Sequence, residues 1–131
     1  MKKLFLFFLF LMSPNVFALD EEQTDAAYSW LEVIDAGQYK ESWVLTSSLF
    51  QDRLSSSRWV QALNQARAPL GNLKSREIET STQANSLPGA PDGQYVVITF
   101  STTFVNKESA TETLTLGYEG DVWRPVGYFI K

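Results

Sequence analysis

The chain has 131 residues, a formal net charge of −4, no His and no Cys. That length is one domain, and the acidic balance leaves no electrostatic footprint for nucleic acid or anionic lipid. Without His or Cys there is no Ser-His-Asp or Cys-His catalysis, no disulfide staple and no ordinary zinc site.

From the N-terminus, Met1-Lys2-Lys3 is basic and Leu4 to Met12 is an unbroken apolar run. Ser13-Pro14-Asn15 breaks any helix, and Val16-Phe17-Ala18 offers small or modest residues at a cleavage site. This order is that of a secretory signal peptide. The alternative is a membrane anchor, but the apolar run is about half the ~20 residues a spanning helix needs. Cleavage is expected after Ala18, leaving residues 19–131 as a single exported domain. Lacking Cys, the product cannot carry a lipid through a cysteine, so no membrane anchor is expected after cleavage. Loss of Lys2 and Lys3 takes the net charge from −4 to −6.

The first helix is predicted over Asp20 to Ala36. Asp20 and Gln23 have capping-box spacing, and Ala26, Ala27, Trp30, Leu31, Val33 and Ile34 form one apolar stripe. Gly37 is a natural stop. A second helix is predicted from about Tyr39 to Leu49. A third is capped by one of Ser55-Ser56-Ser57 and runs to about Ala66, with Trp59, Leu63 and Ala66 as its stripe. Pro69 ends it.

From Gly71 the apolar period becomes two. Leu73 to Thr82 reads as a polar strand, edge or bent. Leu87 to Gly93 is dense in turn residues, either a rigid connector or an exposed binding loop. Tyr95 to Val105 is the clearest strand, with Val96, Ile98, Phe100 and Phe104 in alternation. Asn106 to Ser109 turns the chain. Thr111 to Tyr118 alternates again, Glu119-Gly120-Asp121 is a hairpin turn, and Val122 to Ile130 is the last strand. Pro125 within it calls for an edge or a bulge. Helices first and strands after predict an α+β domain: N-terminal helices packed on an antiparallel sheet of three to four strands.

Several phrases carry a family resemblance. They are Trp30-Leu31, Asp35-Ala36-Gly37-Gln38-Tyr39, Ser42-Trp43, Arg67-Ala68-Pro69-Leu70-Gly71, Ser75-Arg76, the run Leu87 to Tyr95, Phe104 with Lys107, Glu112-Thr113, Trp123-Arg124 and Gly127-Tyr128-Phe129-Ile130. In these the chain resembles a bacterial exported family known only as domain of unknown function four-zero-one-nine. The resemblance implies no activity. Its helix-then-sheet order is similar to the cone-shaped folds of the cystatins and nuclear transport factor two, in which a curved sheet wraps a helix around a possible pocket. Resemblance and the absence of disulfides together point to the periplasm, with full secretion as the alternative.

Besides the Leu87 to Gly93 loop, two groups are candidates for chemistry. Glu112 shares parity with Leu114 and Leu116, so it should point to the apolar side of its strand. Arg76 shares parity with Ile78, and Arg67 ends the third helix. Arg67, Arg76 and Glu112 therefore form either a structural ion-pair cluster or an anion site at the mouth of a pocket. Among the aromatics, Trp43, Trp59 and Tyr128, with Tyr28, Trp30, Tyr39, Trp123 and Phe129, are either core or the lining of an apolar pocket. In the last strand, strict alternation puts Trp123 and Phe129 opposite Val122, Val126 and Tyr128. Both faces would then carry large apolar groups, which suggests a homodimer through the sheet. No cofactor and no metal are expected. The reading is a non-enzymatic module for a small molecule or a protein partner. The alternatives are an enzyme using Glu112 or Asp35 as general base and a structural or assembly role in the cell envelope.

Overall fold

A computed structural model describes residues 18–131. All but the last residue of the expected signal peptide lies outside them. Among the described residues no helix is long and apolar enough to cross a membrane.

Helix α1 spans Glu21–Asp35 and begins as its capping box requires. Asp20 Oδ1 accepts the Gln23 N–H at 2.8 Å, and Gln23 Oε1 accepts the Asp20 N–H at 3.2 Å. Ala27, Trp30, Leu31 and Ile34 are buried from its stripe. Gly37, at φ +79°, takes the left-handed turn that ends the segment.

The second predicted helix is two. Helix α2 is Tyr39–Val44 and α3 is Ser48–Arg53. The break has a local cause. Thr46 donates its hydroxyl to the Trp43 carbonyl at 2.6 Å, and Ser47 accepts the Phe50 N–H at 3.1 Å. The Gln51 amide reaches the carbonyls of Trp43, Val44 and Thr46. Short polar side chains thus satisfy backbone groups that helix continuation would have used. The Ser47 N–H is freed to donate to the Pro125 carbonyl at 2.9 Å.

Helix α4 is Ser56–Ala66, capped by Ser55. Its buried stripe is Trp59 and Leu63, continued by Arg67 at 3% exposure, whereas Ala66 is exposed. The i, i+4, i+8 spacing holds, but a guanidinium occupies the third place. A 3₁₀ turn, Ala68–Leu70, carries Pro69.

Strands β1 (Leu73–Ala84), β2 (Tyr95–Phe104), β3 (Lys107–Glu119) and β4 (Val122–Ile130) form one antiparallel sheet in sequential order. The domain is α+β, with the helices on one face. Val96, Ile98, Phe100 and Phe104 of β2 and Leu114 and Leu116 of β3 are buried there. The turn predicted over Asn106 to Ser109 is tighter, since Phe104 already pairs with Lys107. Gly120 and Asp121, at φ +59° and +68°, make the two-residue turn between β3 and β4.

Edge strand β4 departs from strict alternation. Thr115 pairs with Gly127 but Leu116 pairs with Pro125, so Val126 is an extra residue. This bulge follows the proline and reverses the phase of the strand. Trp123 and Tyr128, expected on opposite faces, therefore both pack on the core. Phe129 stays outside, 56% exposed.

The outward face has one tight point. A Cβ added at Gly117 would meet Tyr95 Cε1 and Val126 Cγ1, each at 3.1 Å, while one added at Gly127 would meet nothing within 4 Å. Gly117→Ala should destabilise the domain by about 1–3 kcal/mol through overpacking. Gly127→Ala should be neutral or slightly stabilising by reducing unfolded-chain entropy. Urea unfolding midpoints of the two variants check the contrast, and equal midpoints would refute it.

Candidate functional site

Six side chains converge where the C-termini of α1 and α4 meet the sheet. Asp35 is the last residue of α1 and Arg67 the C-cap of α4. Arg76 comes from β1, Thr102 from β2, Glu112 from β3 and Tyr128 from β4. Register brings the strand residues together. Arg76 pairs with Thr102 across β1 and β2, Phe100 pairs with Glu112, and Leu114 pairs with Tyr128.

Arg76 lies between two carboxylates. Its Nε and Nη2 donate to Glu112 Oε1 and Oε2 at 2.7 and 3.1 Å. Its Nη1 and Nη2 donate to Asp35 Oδ2 and Oδ1 at 2.8 and 3.0 Å. Both pairs are bidentate, the strongest geometry for this contact. Burial alone would lower the Arg76 pKa, but the hydrogen bonds to Asp35 and Glu112, with their charges, raise it above its ordinary value. Arg67 Nη2 donates to Asp35 Oδ1 at 3.2 Å and Nη1 to the Gly71 carbonyl at 2.6 Å. Its guanidinium sits 4.4 Å from the centre of the Phe104 ring. Arg67 Nε is buried without a partner.

Glu112, 0% exposed, accepts two further hydrogen bonds. Thr102 Oγ1 donates at 2.7 Å and the Tyr128 hydroxyl donates to Oε2. Burial, then the adjacent Glu112 charge, pushes the Tyr128 pKa well above its ordinary range. Two guanidiniums face two carboxylates, so the cluster is neutral.

An aromatic group adjoins this network through Tyr128. The Trp30 and Trp59 rings stack 6.2 Å apart, and each meets Tyr128 edge-on, at 5.4 and 6.3 Å. Phe50 closes on Trp59 at 5.1 Å. Both indoles donate to Ser42, Trp30 to its carbonyl at 2.8 Å and Trp59 to its hydroxyl at 2.9 Å. Trp43 stands apart and donates to the Leu54 carbonyl at 2.7 Å.

Of the residues singled out from sequence, Arg67, Arg76, Glu112 and Tyr128 thus share one network. Trp59 touches it through Tyr128, and Trp43 does not join it. Asp35, weighed only as a base, is the second carboxylate. Sequence reading missed Thr102 and Ser42. Thr102 had a signal, because it shares parity with the buried Phe100 and Phe104.

The clefts lie away from the charged members of the network, and one of them borders Tyr128. One of about 190 Å³ lies between the Ser47–Leu49 segment, the Pro91–Tyr95 segment and the β3–β4 hairpin. At that hairpin Glu119 accepts the Ser48 hydroxyl at 2.6 Å and the Ser48 N–H at 3.1 Å, which holds its pKa below the usual carboxylate value. A second cleft, of about 180 Å³, is lined by Trp59, Leu63, Tyr128, Phe129 and Ile130 among others. A wider groove of about 360 Å³ runs between α1 and β4 past Val33, Leu45 and Trp123. None of these is lined by Asp35, Arg67, Arg76 or Glu112.

Two outcomes follow from the network. Arg76→Ala leaves Glu112 buried beside only neutral donors, and should lower the unfolding free energy by about 3–5 kcal/mol. A variant with unchanged denaturation would show that the cluster does not hold the fold. For Tyr128, the raised pKa means that the folded state keeps a proton the unfolded state loses above about pH 10. Its stabilising contribution is therefore full below that pH and declines as pH rises above it. Tyr128→Phe should lose stability less steeply than wild type from about pH 10 to 11 in thermal melts. Parallel slopes would refute the assignment.

No curated protein and no solved structure matches the chain. A family profile does match, over residues 26–128, a span that contains every member of the network from Asp35 to Tyr128. The chain belongs to the DUF4019 family, whose description is a protein of unknown function.

Proposed function

We propose that this is an exported, non-catalytic domain that binds a protein partner on the outward face of its sheet. The observation that carries the reading is the contrast between the two faces. The inward face is closed. Its charges neutralise one another, its carboxylates are each held by guanidinium donors, and its aromatic rings pack together. A general base needs a lone pair within reach of substrate, and Glu112 is wholly buried with Arg76, Thr102 and Tyr128 all donating to it. The clefts of about 180 and 190 Å³ fall below the ~300 Å³ at which small-molecule pockets begin, and the grooves of about 360, 400 and 790 Å³ that exceed it are lined by none of Asp35, Arg67, Arg76 or Glu112.

The outward face is open and uncharged at its centre. Thr80, Thr99, Thr113 and Phe129 form one cross-strand row, and Thr82, Val97, Thr115 and Gly127 the next. Charged residues are depleted at the cores of protein interfaces and aromatic residues enriched. The sheet edges are poor alternatives. β1 carries register irregularities at Lys74 and Glu79, and β4 carries Pro125 and the Val126 bulge. These are features that block edge-to-edge pairing. Export rests on the N-terminal segment, with the periplasm as the compartment.

Native mass spectrometry of the protein purified from the cell envelope tests this reading. The expected mass is that of Leu19–Lys131, bound to protein, with the complex lost in Thr113→Arg. A full-length mass would overturn cleavage. A stoichiometric small molecule that survives Thr113→Arg would overturn protein binding.

A further inference from the structure

We propose that the partner of the outward sheet face is a second copy of this chain, placed by a two-fold axis running parallel to the strands. The inference rests on the reading above, that this face binds protein, and adds which protein and in what arrangement.

Three adjacent rows make up the centre of the face, and a fourth, Ala84, Tyr95, Gly117 and Arg124, lies beyond them towards the β3–β4 hairpin. Glu77, Ser101, Thr111 and Lys131 form the third, Thr111 and Lys131 exchanging two backbone hydrogen bonds of 2.9 Å. In this row the acid stands on one edge strand and the base beyond the end of the other. The interior positions of all three rows hold only Thr, Ser and Val. Two sheets stacked face to face about an axis along the strands place β1 of each over β4 of the other, with the rows kept level. Each Glu77 then faces the partner's Lys131, and the pair occurs twice. An axis across the strands would set β1 over β1 and bring like edges together, without that match.

The same axis matches shape. The large side chain of the central row, Phe129, projects at the β4 edge at 56% exposure. It would lie over the partner's Thr80 at the β1 edge. Gly127, in the neighbouring row, would lie opposite the partner's Thr82. Bulky and small positions alternate between the two edges, so one face fits its own image. Such self-complementarity is what a closed two-fold interface requires.

Size is consistent with a real but weak dimer. Four strands about 4.8 Å apart and roughly nine residues long cover on the order of 600 Å² a side. Both sides together give roughly 1,200 Å², the lower end of the range for specific complexes. Stacked sheets lie ~10 Å apart, a gap that Glu and Lys side chains reaching from opposite sides can span. Twist makes aligned sheets cross at about 30°, so the rows meet most closely at the centre, where the residues are small.

The test is sedimentation of the mature exported chain from about 1 μM to 1 mM, a range that brackets weak dimers. Wild type should form a dimer that dissociates on dilution. Glu77→Lys and Lys131→Glu should each weaken it roughly tenfold, because each creates two like-charged contacts. The double variant should restore the wild-type constant, which no effect on monomer folding would do. Thr113→Arg should abolish the dimer, with the circular dichroism spectrum of the monomer unchanged. A wild-type chain monomeric throughout overturns the proposal. A dimer indifferent to the charge swap, or not restored by the double variant, overturns the two-fold arrangement. If the chain is monomeric while a Thr113→Arg-sensitive complex with another protein appears in native mass spectrometry, the second copy is excluded and protein binding by this face stands.

Discussion

The fold turns on one guanidinium, that of Arg76, held between Asp35 and Glu112. Asp35 closes α1, where the helix dipole disfavours a carboxylate. That helix has no basic residue in its last turn. The compensating charge comes from other elements, Arg67 at the C-cap of α4 and Arg76 in β1. Arg67 is in turn well placed for α4, since a cation suits a helix C-terminus. Each helix end is thus incomplete without the other, and both require the sheet. Glu112 ties in the remaining strands through Thr102 and Tyr128.

A buried ionic cluster is a weak source of net stability, because desolvation offsets most of the attraction. Its contribution here is to register. A one-residue slip of β3 would carry Glu112 to the outward face and leave Arg76 with only Asp35. The Thr-lined outward face would barely resist such a slip by itself, because its hydroxyls and methyls are nearly interchangeable along the strand. Polar inward residues in a few positions therefore do what a uniform apolar face could not. The same logic operates at the far end of α1. There the Gln23 and Gln83 amides exchange hydrogen bonds of 3.0 and 2.8 Å and fix the helix start against β1.

Much of this was legible in the residues, and the failures have physical reasons. The α1 capping box, the four strands and the joint placement of Arg67, Arg76 and Glu112 follow from spacing and parity. Periodicity misread α2 and α3 as one helix because Thr46, Ser47 and Gln51 satisfy backbone groups locally, an effect that apolar period does not register. Parity failed in β4 because Val126 is a bulge, and one extra residue reverses every later side chain. Pro125 announced a bulge or an edge without saying which, and β4 has both. Ala66 reads as the third member of the α4 stripe because charge argues against Arg67 there, whereas Asp35, Gly71 and Phe104 supply what the burial of Arg67 needs. The phrases that carry the family resemblance contain Asp35, Arg67, Arg76, Glu112 and Tyr128. Five of the six residues that assemble the network therefore fall within those phrases.

A domain whose polar interior is satisfied by its own side chains has little chemistry left to offer inside. Among the described residues the one buried side-chain donor without a partner, Arg67 Nε, opens onto none of the clefts described. Under the function proposed above, recognition moves to the surface, and within the surface to the sheet, because the edges are blunted and the helical side is occupied by the core it covers. The two faces of one sheet therefore divide the work. The inward face spends its polar residues on fixing register, and the fixed register aligns Thr80, Thr99, Thr113 and Phe129 into a row on the other side. The outward face owes its order to a cluster it never touches. A binding surface of the kind proposed, made of small, interchangeable residues, can be specific only on a scaffold that does not slip.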